Sequence, residues 1–111
     1  MQLGMGVPKT FPVRRREPRI PMEIGVQISG HPELPGSEAT FTQDISSLGA
    51  RVFSFRRWQI NDRLNFATPT GSFHALARVA YCQPSRESGF SVGLEFLNPK
   101  GTWIVPGQAA E

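Results

Sequence analysis

The run Ala39-Thr40-Phe41-Thr42-Gln43-Asp44-Ile45-Ser46-Ser47-Leu48-Gly49-Ala50-Arg51-Val52-Phe53 decides the architecture. Its two ends, 39–42 and 50–53, have strand composition. Between them Asp44-Ile45-Ser46-Ser47-Leu48-Gly49 sets a carboxylate, two hydroxyls and a glycine around apolar Ile45 and Leu48. Asp and Ser side chains close turns by bonding backbone N–H groups a residue or two further on. Gly49 either takes a positive φ or lets another group come close to its backbone. The expectation is a strand over about 38–44, a tight connection, and a strand over about 49–55. Asp44 and Ser46 then leave the end of the first strand and project from the connection. Taken alone, such a stretch is an ordinary hairpin, because short patterns have many false positives.

Working outward, the same period of two recurs. Ile20, Met22, Ile24, Val26 and Ile28 are apolar at alternate positions, which predicts a half-buried strand over 20–28, with Pro21 marking its beginning or an edge. Residues 29–37 are dense in turn formers and read as a loop. Residues 56–62 read as a polar connection with a turn at Asn61-Asp62, and 63–67 as a short strand. Pro69-Thr70-Gly71-Ser72 reads as a hairpin turn. The longest strand is expected over 73–82, with Phe73, Ala75, Ala77, Val79 and Tyr81 on one face. A last strand over 90–96 puts Phe90, Val92, Leu94 and Phe96 on one face. Phe41, Phe66, Phe73, Phe90 and Phe96 are the candidate core aromatics. Short strands with frequent turns and no helical period predict an all-β fold, a small antiparallel barrel. Closure hides strand edges that would otherwise template aggregation.

The bulk numbers bound the function. A chain of 111 residues is one domain. No apolar run reaches the length of a membrane span, and the N-terminus lacks the pattern of a secretory signal. Cys82 is the single cysteine, which excludes an intramolecular disulfide and predicts a reducing, cytoplasmic setting. The net charge is +3, and the basic side is ten arginines against two lysines. Arginine offers a planar, permanently charged fork that stacks on bases and grips phosphate or a guanine edge. GC-rich codon usage gives the same bias, so composition alone does not choose a partner.

Residues 1–13 carry Gly4, Gly6, Pro8 and Pro12 and no apolar period, and are expected to be a flexible arm. Arg14-Arg15-Arg16-Glu17-Pro18-Arg19 follows. Pro18 keeps this segment out of a helix, so Arg15 and Arg19 come together only by folding around something. Their spacing, RxxxR, precedes Asp44, Ser46 and Gly49, whose spacing is DxSxxG. This ordered pair, with Gly89-Phe90-Ser91-Val92-Gly93-Leu94-Glu95-Phe96 near the end, resembles the PilZ domain, a bacterial receptor module for the second messenger cyclic di-GMP. The likeness runs from about Arg14 to Phe96.

The resemblance implies a six-stranded barrel over 14–97 that binds cyclic di-GMP and signals through a downstream protein partner. It implies that Arg15 and Arg19 grip guanine edges, stack on bases and neutralise phosphate, with Arg14 or Arg16 adding phosphate contacts. Asp44 accepts from a guanine donor edge, Ser46 bonds near the phosphate–ribose ring, and Gly49 keeps the strand start clear. The expected ligand set is thus Arg14, Arg15, Arg19, Asp44, Ser46 and Gly49, with no cofactor and no metal. One ligand or a stacked pair per chain are both open. Many family members end in a helix. Here Asn98-Pro99-Lys100-Gly101 and Pro106-Gly107 leave little room for one, so 98–111 is expected to be an irregular tail with Trp103, Ile104 and Val105 capping the barrel.

Other constellations are weaker. His31 and His74 have no metal-ligand spacing, and Cys82 reads as a small apolar filler. Ser46 has no nucleophile setting, so no enzyme is expected. Arg56-Arg57-Trp58 reads as an exposed loop whose tryptophan covers the barrel rather than as a nucleic-acid patch. Two other readings stand beside the receptor. One is a PilZ-like interaction domain without ligand binding. The other is a small-barrel binder of single-stranded nucleic acid, which would show strong salt dependence.

Overall fold

The structure, a computed structural model, describes residues 18–86 and 88–103. The expected flexible arm, Arg14, Arg15, Arg16, Ile104 and Val105 lie outside the described residues. The described elements are all strands: β1 (Ile20–Pro21), β2 (Gly25–Ser29), β3 (Ser37–Ser46), β4 (Gly49–Ser54), β5 (Arg63–Ala67), β6 (Phe73–Pro84), β7 (Phe90–Phe96) and β8 (Lys100–Gly101). Every pairing is antiparallel. Six strands pair in the order β3-β2-β5-β6-β7-β4, and β4 returns to β3, which closes an all-β barrel. None of the described residues forms a helix long and apolar enough to cross a membrane.

Alternation fills the interior. Val26 and Ile28, Ala50 and Val52, Leu64 and Phe66, Phe73, Ala75, Ala77 and Val79, and Val92, Leu94 and Phe96 point into one core with Ile45 and Trp58. Trp58 is only 2 % exposed, not a cover over the surface. Its indole N–H donates to Ser54 Oγ at 3.1 Å and its ring lies 4.6 Å from that of His31. At the other end of β4, Trp103 packs against Phe66, Phe73 and Phe96 with centroids 4.8–5.5 Å apart. Its indole N–H donates to the Ser46 carbonyl at 2.8 Å. The short strand β8 brings the chain there by pairing with Phe73 and His74.

Three irregularities alter the expected registers. The apolar alternation over 20–28 is unbroken, yet the ladder stops between Pro21 and Gly25. Proline has no N–H to donate, and buried Thr42 takes over locally. Its Oγ1 donates to the Met22 carbonyl at 2.6 Å and accepts from the Ile24 N–H at 2.8 Å. A second break is the bulge between Thr42 and Asp44, where Gln43 is the extra residue. A third lies between Val79 and Tyr81. An extra residue reverses the phase of everything beyond it. Tyr81, expected in the core, therefore faces outward over Gly93, and Cys82 turns toward the core instead. Phe41 is also no core residue. It is 39 % exposed and stacks on Phe53 at 5.8 Å, and Phe53 meets the exposed Phe55 edge-on at 4.9 Å.

Candidate functional site

Asp44 and Ser46 lie within β3, not in the connection after it; the turn is Ser47-Leu48 alone. Neither of these residues nor Gly49 has a positive φ. Gly49 is instead required by close approach, since a Cβ there would run into the Leu94 carbonyl oxygen of β7.

Pairing across four strands builds the site in two rows on the outer face. Asp44 of β3, Arg51 of β4, Gly93 of β7 and Tyr81 of β6 stand in one row. Ser46, Gly49, Glu95 and Arg78 stand in the next. Between them run the inward residues Ile45, Ala50, Leu94 and Val79, as the two-residue period requires. Each outer row has a glycine in its middle: the Tyr81 ring lies over Gly93, and the Leu94 carbonyl oxygen takes the space a Gly49 Cβ would need. The space between is an open cavity of about 560 Å³. Arg19, Ser46, Leu48 and Gly49 line one side, and Arg78, Tyr81, Gly93 and Glu95 the other. That volume lies within the roughly 300–1,000 Å³ typical of small-molecule sites.

Arg19 of the arginine motif and Asp44 of the aspartate motif meet beside this cavity. Arg19 Nε donates to Asp44 Oδ1 at 3.0 Å, and its Nη2 stands 2.8 Å from the same oxygen in an ion pair. Arg51 Nη2 pairs with Asp44 Oδ2 at 2.6 Å. Each carboxylate oxygen thus has its own guanidinium, and Asp44 is only 6 % exposed. Asp44 does not itself line the cavity; Arg19 does. The Ser46 hydroxyl makes only a long contact, 3.5 Å to the Gly49 carbonyl. On the far wall Arg78 gives Nε and Nη2 to Glu95 Oε1 at 2.9 and 2.7 Å, and Nη1 to Asn61 Oδ1 at 2.9 Å. The lining therefore holds two arginines against one glutamate, an arrangement that favours an anion. Among the described residues the Arg51 Nε has no hydrogen-bond partner.

Of the expected ligand set, Arg19, Asp44, Ser46 and Gly49 come together here, and Arg14 and Arg15 lie outside the described residues. Sequence reasoning missed Arg51, Arg78, Tyr81 and Glu95. A signal for Arg51 was available: counting outward from a two-residue turn at Ser47-Leu48 sets it opposite Asp44. Tyr81 had none, because the bulge before it leaves no mark in the alternation. Among the described residues no group of histidine, cysteine, aspartate and glutamate is arranged to hold a metal ion.

No curated protein matches the chain. A family model described as PilZ domain matches residues 13–102, a span that holds both motifs, all eight strands and both walls of the cavity. With that match over most of its length, and with the closed six-stranded barrel, the chain belongs to the PilZ domain family, a family of cyclic di-GMP receptors.

Proposed function

We propose that this domain is a cyclic di-GMP receptor that orders its N-terminal arginine segment over the bound ligand and signals through a protein partner. One observation carries the reading. Arg19 and Asp44, 25 residues apart in the chain, meet at 2.8 Å beside an open cavity lined by Arg19, Ser46 and Gly49.

The chemistry of the ligand fits these groups. A guanine presents O6 and N7 as adjacent acceptors, matched by an arginine fork. Its N1–H and N2–H₂ edge is a pair of donors, matched by the Asp44 carboxylate. The two phosphates require cations, supplied by Arg19 with Arg14 and Arg15. The Tyr81 ring, which lies over Gly93 and lines the cavity, offers a base an aromatic face. Arg19 must leave Asp44 to reach the ligand. Ordering the arginine segment costs conformational entropy, which charge-assisted hydrogen bonds and stacking offset. No bond in the ligand is made or broken.

Titration calorimetry with cyclic di-GMP tests this, with GTP and linear pGpG as controls. Wild type is expected to bind the cyclic dinucleotide saturably and in preference to both controls. Arg15→Ala and Arg19→Ala are each expected to abolish the binding. Folded wild type that gives no heat with cyclic di-GMP would rule the receptor reading out. The stoichiometry decides between one ligand and a stacked pair.

A further inference from the structure

Asp44 has two arginine partners, and they are held in different ways. Arg19 stands next to the two-residue strand β1, and its side chain lines the cavity. Arg51 stands within β4, paired to Asp44 of β3 on one side and to Gly93 of β7 on the other. Gly93 offers no side chain that could draw Arg51 away. Among the described residues Asp44 is the one carboxylate that Arg51 bridges. The two arginines also take different oxygens, Arg19 on Oδ1 and Arg51 on Oδ2. A ligand entering the cavity meets Arg19 first, because Asp44 lies behind it.

We infer that Arg51 is the positioning residue for Asp44, keeping hold of Oδ2 while Arg19 turns from Oδ1 to the ligand. This rests on the cyclic di-GMP reading above. A carboxylate torsion is broad, with no sharp staggered well to fix its plane. If Arg19 were the sole partner, its departure would leave the carboxylate free to rotate as the base arrives. With Oδ2 anchored on a central strand, the plane stays set and Oδ1 is bared toward the cavity. Preorganisation of this kind lowers the ordering cost of binding. It acts on the interaction Asp44 makes, the guanine N1–H and N2–H₂ edge, so Arg51 contributes to base selectivity without touching the ligand.

The test is calorimetry on wild type, Arg51→Ala, Arg51→Lys, Asp44→Ala and the Asp44→Ala/Arg51→Ala double variant. Each is titrated with cyclic di-GMP and with cyclic di-IMP, which lacks the exocyclic amines. Arg51→Ala is expected to weaken cyclic di-GMP binding about tenfold and cyclic di-IMP binding less, so the preference between them narrows. Arg51→Lys, which keeps one cationic donor, is expected to recover most of both. In the Asp44→Ala background the loss of Arg51 is expected to add nothing. Arg51→Ala that is folded by circular dichroism and keeps wild-type affinity and preference would overturn the role. So would an equal loss with and without Asp44, which would make Arg51 a direct ligand contact. If Arg51→Ala does not fold, Arg51→Gln takes its place, and Arg51→Gln that matches wild type overturns the role in the same way. Wild type that binds neither dinucleotide overturns the receptor reading and this role together, whereas wild type that binds with Arg51 indifferent overturns this role alone.

Discussion

Two regions meet at Ser46 and are held by opposite means. On the inside, Trp103, Phe66, Phe73 and Phe96 close one end of the barrel by burying rings against one another. On the outside, Arg19, Asp44 and Arg51 hold one carboxylate between two cations that stay 47 % and 42 % exposed. The first region is stabilised by area removed from water, which has little direction and large magnitude. The second gains little from its charges, since solvent screens them, but it fixes where each oxygen and nitrogen points. Stability belongs to the aromatic end, and the proposed recognition to the polar face beside it.

The contrast breaks most readily at Phe66. Phe66→Ala removes the ring that touches Phe73, Phe96 and Trp103, and is expected to cost about 3–5 kcal/mol in urea unfolding. A loss below about 1 kcal/mol would mean that this end is not where the stability resides. On the polar side, Asp44→Ala is expected to reduce cyclic di-GMP affinity about a hundredfold. Its unfolding free energy should change by only about 1 kcal/mol, because both arginines reach water. If the unfolding cost instead matched that of Phe66→Ala, the division of labour would fail.

Gly93→Ala probes the boundary between the two. Its Cβ would meet the Tyr81 ring, a side chain that can swing aside, so the expected cost is about 1 kcal/mol in melting experiments. Tyr81→Ala, which clears that space, is expected to make the added methyl harmless. The smallest effect is expected from Arg78→Ala. That pair is open to solvent, with side chains 31 % and 50 % exposed, and its loss should shift stability by no more than about 0.5 kcal/mol. A larger shift at low salt that fades at high salt would show the far wall acting as a charged network with Asn61.

Most of the fold was legible because the barrel walls are half-buried, and half-burial writes itself into the chain as alternation. β2 and β5 follow it without a fault, and β7 departs from it at Gly93, which Tyr81 covers. The alternation fails at Tyr81 because a bulge adds a residue with no composition of its own. At Pro21–Gly25 the alternation holds but the ladder stops, and Thr42, some twenty residues away, bonds Met22 and Ile24 through its side chain. Phe41 was misread because an exposed aromatic has the same letter as a buried one, and only its neighbours Phe53 and Phe55 explain it. At the candidate site, Arg19, Asp44, Ser46 and Gly49 were legible from spacing. Arg51, Arg78, Tyr81 and Glu95 enter through cross-strand register, which depends on where turns and bulges fall and not on any local motif.

The hydrogen bond from the Trp103 indole to the Ser46 carbonyl also gives the molecule an optical read-out. Ser46 shows its backbone to that tryptophan and belongs through its side chain to the cavity wall. A shift of the β3 end on ligand binding therefore changes the polarity and bonding at one indole. Trp58, buried at the opposite end of β4 and bonded to Ser54, is expected to keep its emission unchanged. The chain thus carries a reporter and an internal standard in the same fluorescence spectrum, with no label attached.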